Sequence, residues 1–188
     1  MELIDQLLQF SELRRGLLGG TAFARIPMPL FLRSDGPGFC IHRTLYQFNH
    51  RTAAVMSAIE AVIDTPDDDF LVGNDIVHFD YHVGNVLVDP TRGGRISAIV
   101  DWGGAQPGLV EFDLALLVFD LSWRAPGAIQ QRVERHLIET ADAALFAKVW
   151  AHAALRLVDF TIRHYPNDVD DWTDVAARHL DISGGTPL

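Results

Sequence analysis

An aspartate, an asparagine five residues later and a second aspartate at the end of an apolar run are the groups of this chain that could do chemistry together. They lie in His78-Phe79-Asp80-Tyr81-His82-Val83-Gly84-Asn85 and in Ile99-Val100-Asp101-Trp102. A carboxylate can orient a hydroxyl and take its proton. An amide oxygen and a second carboxylate are hard donors of the kind magnesium prefers. This set suits phosphoryl transfer, which needs in-line placement and neutralisation of phosphate charge more than covalent help. Between Asn85 and Asp101, Val86-Leu87-Val88 and Ile96–Val100 are short β-branched runs joined by Asp89-Pro90-Thr91-Arg92-Gly93-Gly94. That is hairpin chemistry, and pairing its strands would bring Asn85 and Asp101 together.

The elements that must position these groups are mostly helical. Leu3, Ile4, Leu7, Leu8, Leu13, Leu17 and Leu18 predict a helix over 2–18, closed by Gly19-Gly20. Residues 21–43 are punctuated by Pro27, Pro29, Gly36, Pro37 and Gly38 and read as an extended connector. A second stripe (Leu45, Phe48, Val55, Met56, Ile59, Val62, Ile63) predicts a helix over 44–63 that stops before Pro66. Asp67-Asp68-Asp69 reads as a solvated turn. After Asp101 the expected helices are Glu111–Trp123, Ile129–Glu139, Ala141–His164 and Asp171–Leu180. The expected fold class is α+β, mainly helical, with a small β-hairpin and no internal repeat.

Composition narrows the function. The 188 residues are 48% hydrophobic and 21% charged, enough for a packed core in a single domain. A formal charge of −10 argues against nucleic acid, whose phosphates need clustered cations, and allows a cationic small-molecule substrate. The one cysteine, Cys40, cannot form an internal disulfide. The first residues, Met1-Glu2-Leu3-Ile4-Asp5, lack the positive charge of a signal peptide, and no run approaches a membrane span, so a cytoplasmic protein is expected. The only lysine is Lys148, well past the motif.

The segment His78–Asn85, with Val86-Leu87-Val88-Asp89, Val100-Asp101-Trp102 and Phe112-Asp113-Leu114-Ala115, resembles the core of the aminoglycoside phosphotransferase and choline kinase-like family, which shares the protein-kinase fold. By this resemblance Asp80 is the catalytic base. Asn85 and Asp101 are the Mg2+ ligands through which ATP is held. His78 is structural, Asp113 anchors the catalytic loop through its backbone, and His82 and Gly84 shape the turn. The family's loop usually reads His-Gly-Asp-(Leu/Tyr/Phe)-His-Pro-Gly-Asn, so Phe79 replaces a glycine and Val83 a proline. Gly103, Leu109 and Val110 stand where acids and a Gly-Asp-Pro turn are frequent.

The resemblance also implies an N-terminal lobe with a phosphate-binding lysine and a glycine-rich loop. The 77 residues before His78 contain neither, because Gly16, Gly19 and Gly20 have the wrong spacing. The chain is therefore expected to be the C-terminal lobe alone: 1–43 helix and connector, 44–115 catalytic core, 116–188 helical subdomain. A non-catalytic remnant that binds a partner, or forms a homodimer through the face left by the missing lobe, is the alternative. His78, Asp80 and His82 on a strand could also form a hydrolase metal triad. His50, His136, His152 and His164 are expected at the surface or as caps. Trp102, Trp123, Trp150 and Trp172 are expected as core anchors. Asp168, Asp170, Asp171 and Asp174 are a candidate acidic face towards a cationic substrate.

Overall fold

The computed structural model describes residues 3–19, 48–63, 73–124 and 127–180. They fall into two compact units, one drawn from residues 1–28 and 69–143 and the other from 29–68 and 144–188. The predicted connector 21–43, residues 44–47 of the second predicted helix and the Asp67–Asp69 turn lie outside the described residues. The elements are α+β and mainly helical, as the sequence pattern indicates.

The first unit contains α1 (Leu3–Leu13), β1 (Asp75–Val77), β2 (Val86–Asp89), β3 (Arg95–Ile99), β4 (Gln106–Gly108), α3 (Val110–Arg124) and α4 (Ala128–Thr140). Helix α1 stops five residues earlier than the leucine spacing predicts. Beyond Leu13 the backbone serves the sheet instead: Arg14 O accepts from Ile76 N at 3.2 Å and Leu18 N donates to Asn74 O at 2.8 Å. Gly16 takes φ +64°, which a glycine adopts without steric cost, and its N–H meets Asp75 Oδ1 at 2.7 Å. Leu13 and Leu17 are consequently exposed.

The predicted hairpin is β2–β3, antiparallel with Val86 opposite Ile99 and Asp89 opposite Arg95, and irregular between Leu87 and Val88. Its loop carries Gly93 at φ +67° and Gly94 at φ +74°. A second antiparallel pair joins β1 to β4, with Asp75 opposite Gly108 and Val77 opposite Gln106. Gly73 lies so close to this pair that a Cβ there would fall 2.1 Å from Gly108 O. Helix α3 is buried along Val110–Ser122, its acids Glu111, Asp113 and Asp120 included. Trp123, expected in the core, is in its last turn beyond that stretch and is exposed.

The second unit contains α2 (Asn49–Ile63), nearly all of α5 (Ala143–His164) and α6 (Val169–Ala177). Val55, Met56 and Ile59 are buried on α2 at helical spacing, and Trp150 is buried on α5 with Nε1 donating to Ala176 O at 3.0 Å. His152, expected at the surface, is 0% exposed because it sits inside the apolar run Val149–Leu155. Burial lowers its pKa from the ordinary 6.5 to about 4.

The unfolded chain therefore takes up a proton at residue 152 below pH 6.5, while the folded chain does not until about pH 4. Stability should be complete above 6.5 and fall through this window by an amount on the order of 3 kcal/mol. Urea unfolding of wild type and His152→Leu between pH 7 and 4 checks this, and the variant should lose that part of the slope.

Candidate active site

The site is built where β1 runs out. His78 follows the strand and is fully buried. Its N–H donates to Asp113 Oδ2 at 2.7 Å, and the next N–H, from Phe79, donates to Asp113 Oδ1 at 2.9 Å. Asp113 stands in the first turn of α3, where a carboxylate also suits the helix dipole. Its charge is matched by Arg14, whose Nη1 donates to Asp113 Oδ2 and, at 3.2 Å, to Ile76 O. Arg14 is buried, with its guanidinium over the rings of Tyr81 at 4.9 Å, Phe10 at 5.3 Å and Trp102 at 6.0 Å. Aromatic faces suit such a cation where water is excluded.

Backbone conformation explains the most conspicuous departure from the family's loop. Phe79 has φ +71°, in the left-handed region that glycine enters freely and an aromatic residue rarely does. Its ring is buried and stacks on Phe112 with centroids 5.2 Å apart. Packing thus holds a conformation that glycine would adopt unaided. Gly84 is constrained differently: a Cβ there would lie 2.7 Å from His82 Cε1. The His82 ring closes over this turn, with Nδ1 accepting from Gly84 N at 3.0 Å.

The residues singled out for chemistry sit on this scaffold. Asn85 ends a 3-10 turn, Val83–Asn85. Its Nδ2 donates to Asp80 O at 2.9 Å and approaches Asp80 Oδ2 at 3.4 Å. Val100 N donates to Asn85 O at 3.0 Å, so the open end of the hairpin places Asn85 next to the residue that precedes Asp101. Asp101 is exposed and left-handed at φ +65°. His78 Nε2 donates to Val100 O at 2.8 Å while its Nδ1 accepts from Asp80 N at 3.3 Å, which sets one tautomer and links the loop to the hairpin end. Trp102 closes this corner, with Nε1 donating to Ile99 O at 2.8 Å and its ring edge-on to His78.

The donor chemistry fits a magnesium ion. Asn85 turns Nδ2 towards Asp80, which leaves Oδ1 as its ligand-type atom, and Asp101 adds a carboxylate. No group of three or more His, Cys, Asp or Glu side chains poised for a metal occurs among the described residues. Two protein oxygens completed by phosphate and water are the usual form of a nucleotide magnesium site. The strand triad of His78, Asp80 and His82 is not formed, because 78–82 is loop and both ring nitrogens of His78 are engaged internally.

Asp80 is half-buried, and His82 Nε2 lies 3.7 Å from its Oδ2, an ion-pair distance rather than a hydrogen bond. The Asp80 carboxylate raises the His82 pKa above the ordinary 6.5, against the opposing effect of burial. Asp75, Asp120 and Arg14 were not singled out by the sequence reading. Asp75 Oδ2 accepts from Val110 N at 2.9 Å at the start of α3, and Asp120 Oδ2 accepts from Val83 N at 3.0 Å. A signal for Arg14 exists: with Leu7 and Ser11 it lies on the buried face of α1 and its extension, where a charge needs a partner. Of the acids Asp168, Asp170, Asp171 and Asp174 at the start of α6, Asp170 pairs with Arg51 at 3.4 Å.

A profile of the phosphotransferase enzyme family matches residues 49–158, more than half of the chain. The chain belongs to this family. Among solved structures, one from Ralstonia eutropha JMP134, provisionally named an aminoglycoside phosphotransferase, is similar over 94% of this chain with a TM-score of 0.48 and 14% identity. This chain spans 64% of that structure's length. No curated protein matches. Among the described residues no helix is long and apolar enough to cross a membrane.

Removing Arg14 would leave Asp113 buried and uncompensated. Arg14→Ala should cost about 3–5 kcal/mol in urea unfolding, and the backbone amides of His78 and Phe79 should lose protection from hydrogen exchange.

Proposed function

We propose that this chain carries the catalytic centre of an ATP- and Mg2+-dependent phosphotransferase acting on a hydroxyl of a small molecule. The observation that carries the reading is the Asp80 carboxylate, accessible to solvent yet held by Asn85 on a loop with backbone anchors to α3. The acceptor oxygen attacks the γ-phosphorus, its proton passes to Asp80, and the bond from phosphorus to the ADP oxygen breaks with its electron pair leaving on ADP. Asn85 and Asp101 would hold Mg2+, which when bound neutralises charge on the phosphate oxygens. The chain's formal charge of −10 favours a cationic acceptor such as an aminoglycoside or choline.

Asp80→Asn should lower kcat by about 10²–10⁴-fold while leaving the urea midpoint unchanged. ADP release from Mg-ATP, with aminoglycosides and choline as acceptors, is the measurement. Undiminished turnover in the variant refutes the base assignment. A folded wild-type chain that neither turns over nor binds Mg-ATP in a calorimetric titration points instead to a non-catalytic binding module.

The His82 neighbour adds a pH dependence. Protonated His82 competes with the acceptor hydroxyl for the Asp80 carboxylate. Its pKa is raised, so this contact stabilises the loop below pH 6.5 and is lost as pH climbs through the raised value. The pH profile of kcat/KM should therefore rise above 6.5, and His82→Asn should flatten that limb.

A further inference from the structure

Asp120 lies outside the motif, seven residues after Asp113 on α3. It is 7% exposed, and a carboxylate so far from water needs donors. One is Val83 N at 3.0 Å from Oδ2, and the other is Arg124 Nε at 2.6 Å from Oδ1. Seven residues are two helical turns, so Asp113 and Asp120 share one face of α3, about 10 Å apart along its axis. Asp113 holds the amides that open the loop and Asp120 the amide near its close. Asp80 lies between these two fixed points.

The consequence runs through short contacts. Val83 begins the 3-10 turn whose last residue is Asn85, and Asn85 N donates to His82 O at 3.0 Å. The Asn85 amide in turn touches Asp80 O and Oδ2. Moving Val83 therefore moves the amide that orients the Asp80 carboxylate. We infer that Asp120 is a positioning residue for phosphoryl transfer, acting through the Val83 amide on Asn85 and Asp80. The inference rests on the reading of Asp80 as the base. Pairing with Arg124 alone does not explain Asp120, because that guanidinium is half exposed and such helix pairs contribute only about 0.3–0.5 kcal/mol.

The test compares Asp120→Ala, Asp120→Asn and Arg124→Gln in the full chain. It measures ADP formation from Mg-ATP, with the acceptor that supports turnover or with water, and hydrogen exchange at Val83 N. Asp120→Ala should lower kcat by about 10–100-fold and should speed exchange at Val83. Asp120→Asn, which keeps an acceptor oxygen, should recover most of the rate and remains readable if the alanine variant does not fold. Arg124→Gln should stay within about twofold of wild type. Wild-type kcat in Asp120→Ala, or a loss confined to KM, overturns the positioning role. A wild-type chain without any turnover overturns the reaction assignment and the catalytic part of this inference. Unchanged Val83 exchange in Asp120→Ala overturns the anchoring independently of activity.

Discussion

One carboxylate with three donors from two distant stretches of sequence governs the first unit. Asp113 takes the guanidinium of Arg14 and the amides of His78 and Phe79, with no water at hand to substitute for any of them. Burying two charges is unfavourable in itself, and such a pair depends on further hydrogen bonds. The two amides supply them to Asp113, and Ile76 O and Ser11 Oγ to Arg14, whose Nε alone is left without a partner among the described residues. That condition makes the arrangement cooperative: the end of α1, the exit from β1 and the start of α3 are correct together. His78 then reaches Val100 at the end of the hairpin, so the placement of Asp101 inherits the same constraint.

Five aspartates around the loop divide by solvent access. Asp75, Asp113 and Asp120 are buried; the first two each accept two backbone N–H groups and Asp120 accepts one, from segments that have no sheet partner there. Irregular backbone near a core must be paired with something, and side-chain carboxylates supply that pairing. Asp80 and Asp101 retain access to water. Residues of one chemical type thus perform two tasks, separated by whether a backbone amide or solvent faces them.

The parts legible in the sequence were those with local causes. The hairpin followed from two β-branched runs and a Pro-Gly-rich turn, and the helices after Asp101 from periodicity with Pro126-Gly127 and Pro166 between them. What escaped depended on partners far along the chain. Strands β1 and β4 are three residues each and pair across some thirty positions, too short for periodicity to register. Arg14 carries no local signal of its partner, which is 99 residues away. The leucines at 13 and 17 extended a helical stripe that tertiary pairing with residues 74–76 cut short. His152 is buried because the apolar run Val149–Leu155 carries it into the core as a neutral imidazole. The link between Asn85 and the residue before Asp101 was legible because the hairpin that joins them is local, and Val100 N donates to Asn85 O at its open end.

Position 79 shows how a glycine-type conformation can be occupied by another residue. Its torsion angles admit glycine for free, or a large ring whose contact with Phe112 offsets the steric penalty. Between these lies a gap: alanine, serine or valine would bear the penalty and make no such contact. A saturation library at this codon should accordingly be two-peaked, with glycine and aromatics separated by a trough of medium-sized side chains. Divergence from one solution to the other in nature would require a residue at 112 able to receive the ring beforehand, so the two positions are expected to change in a fixed order.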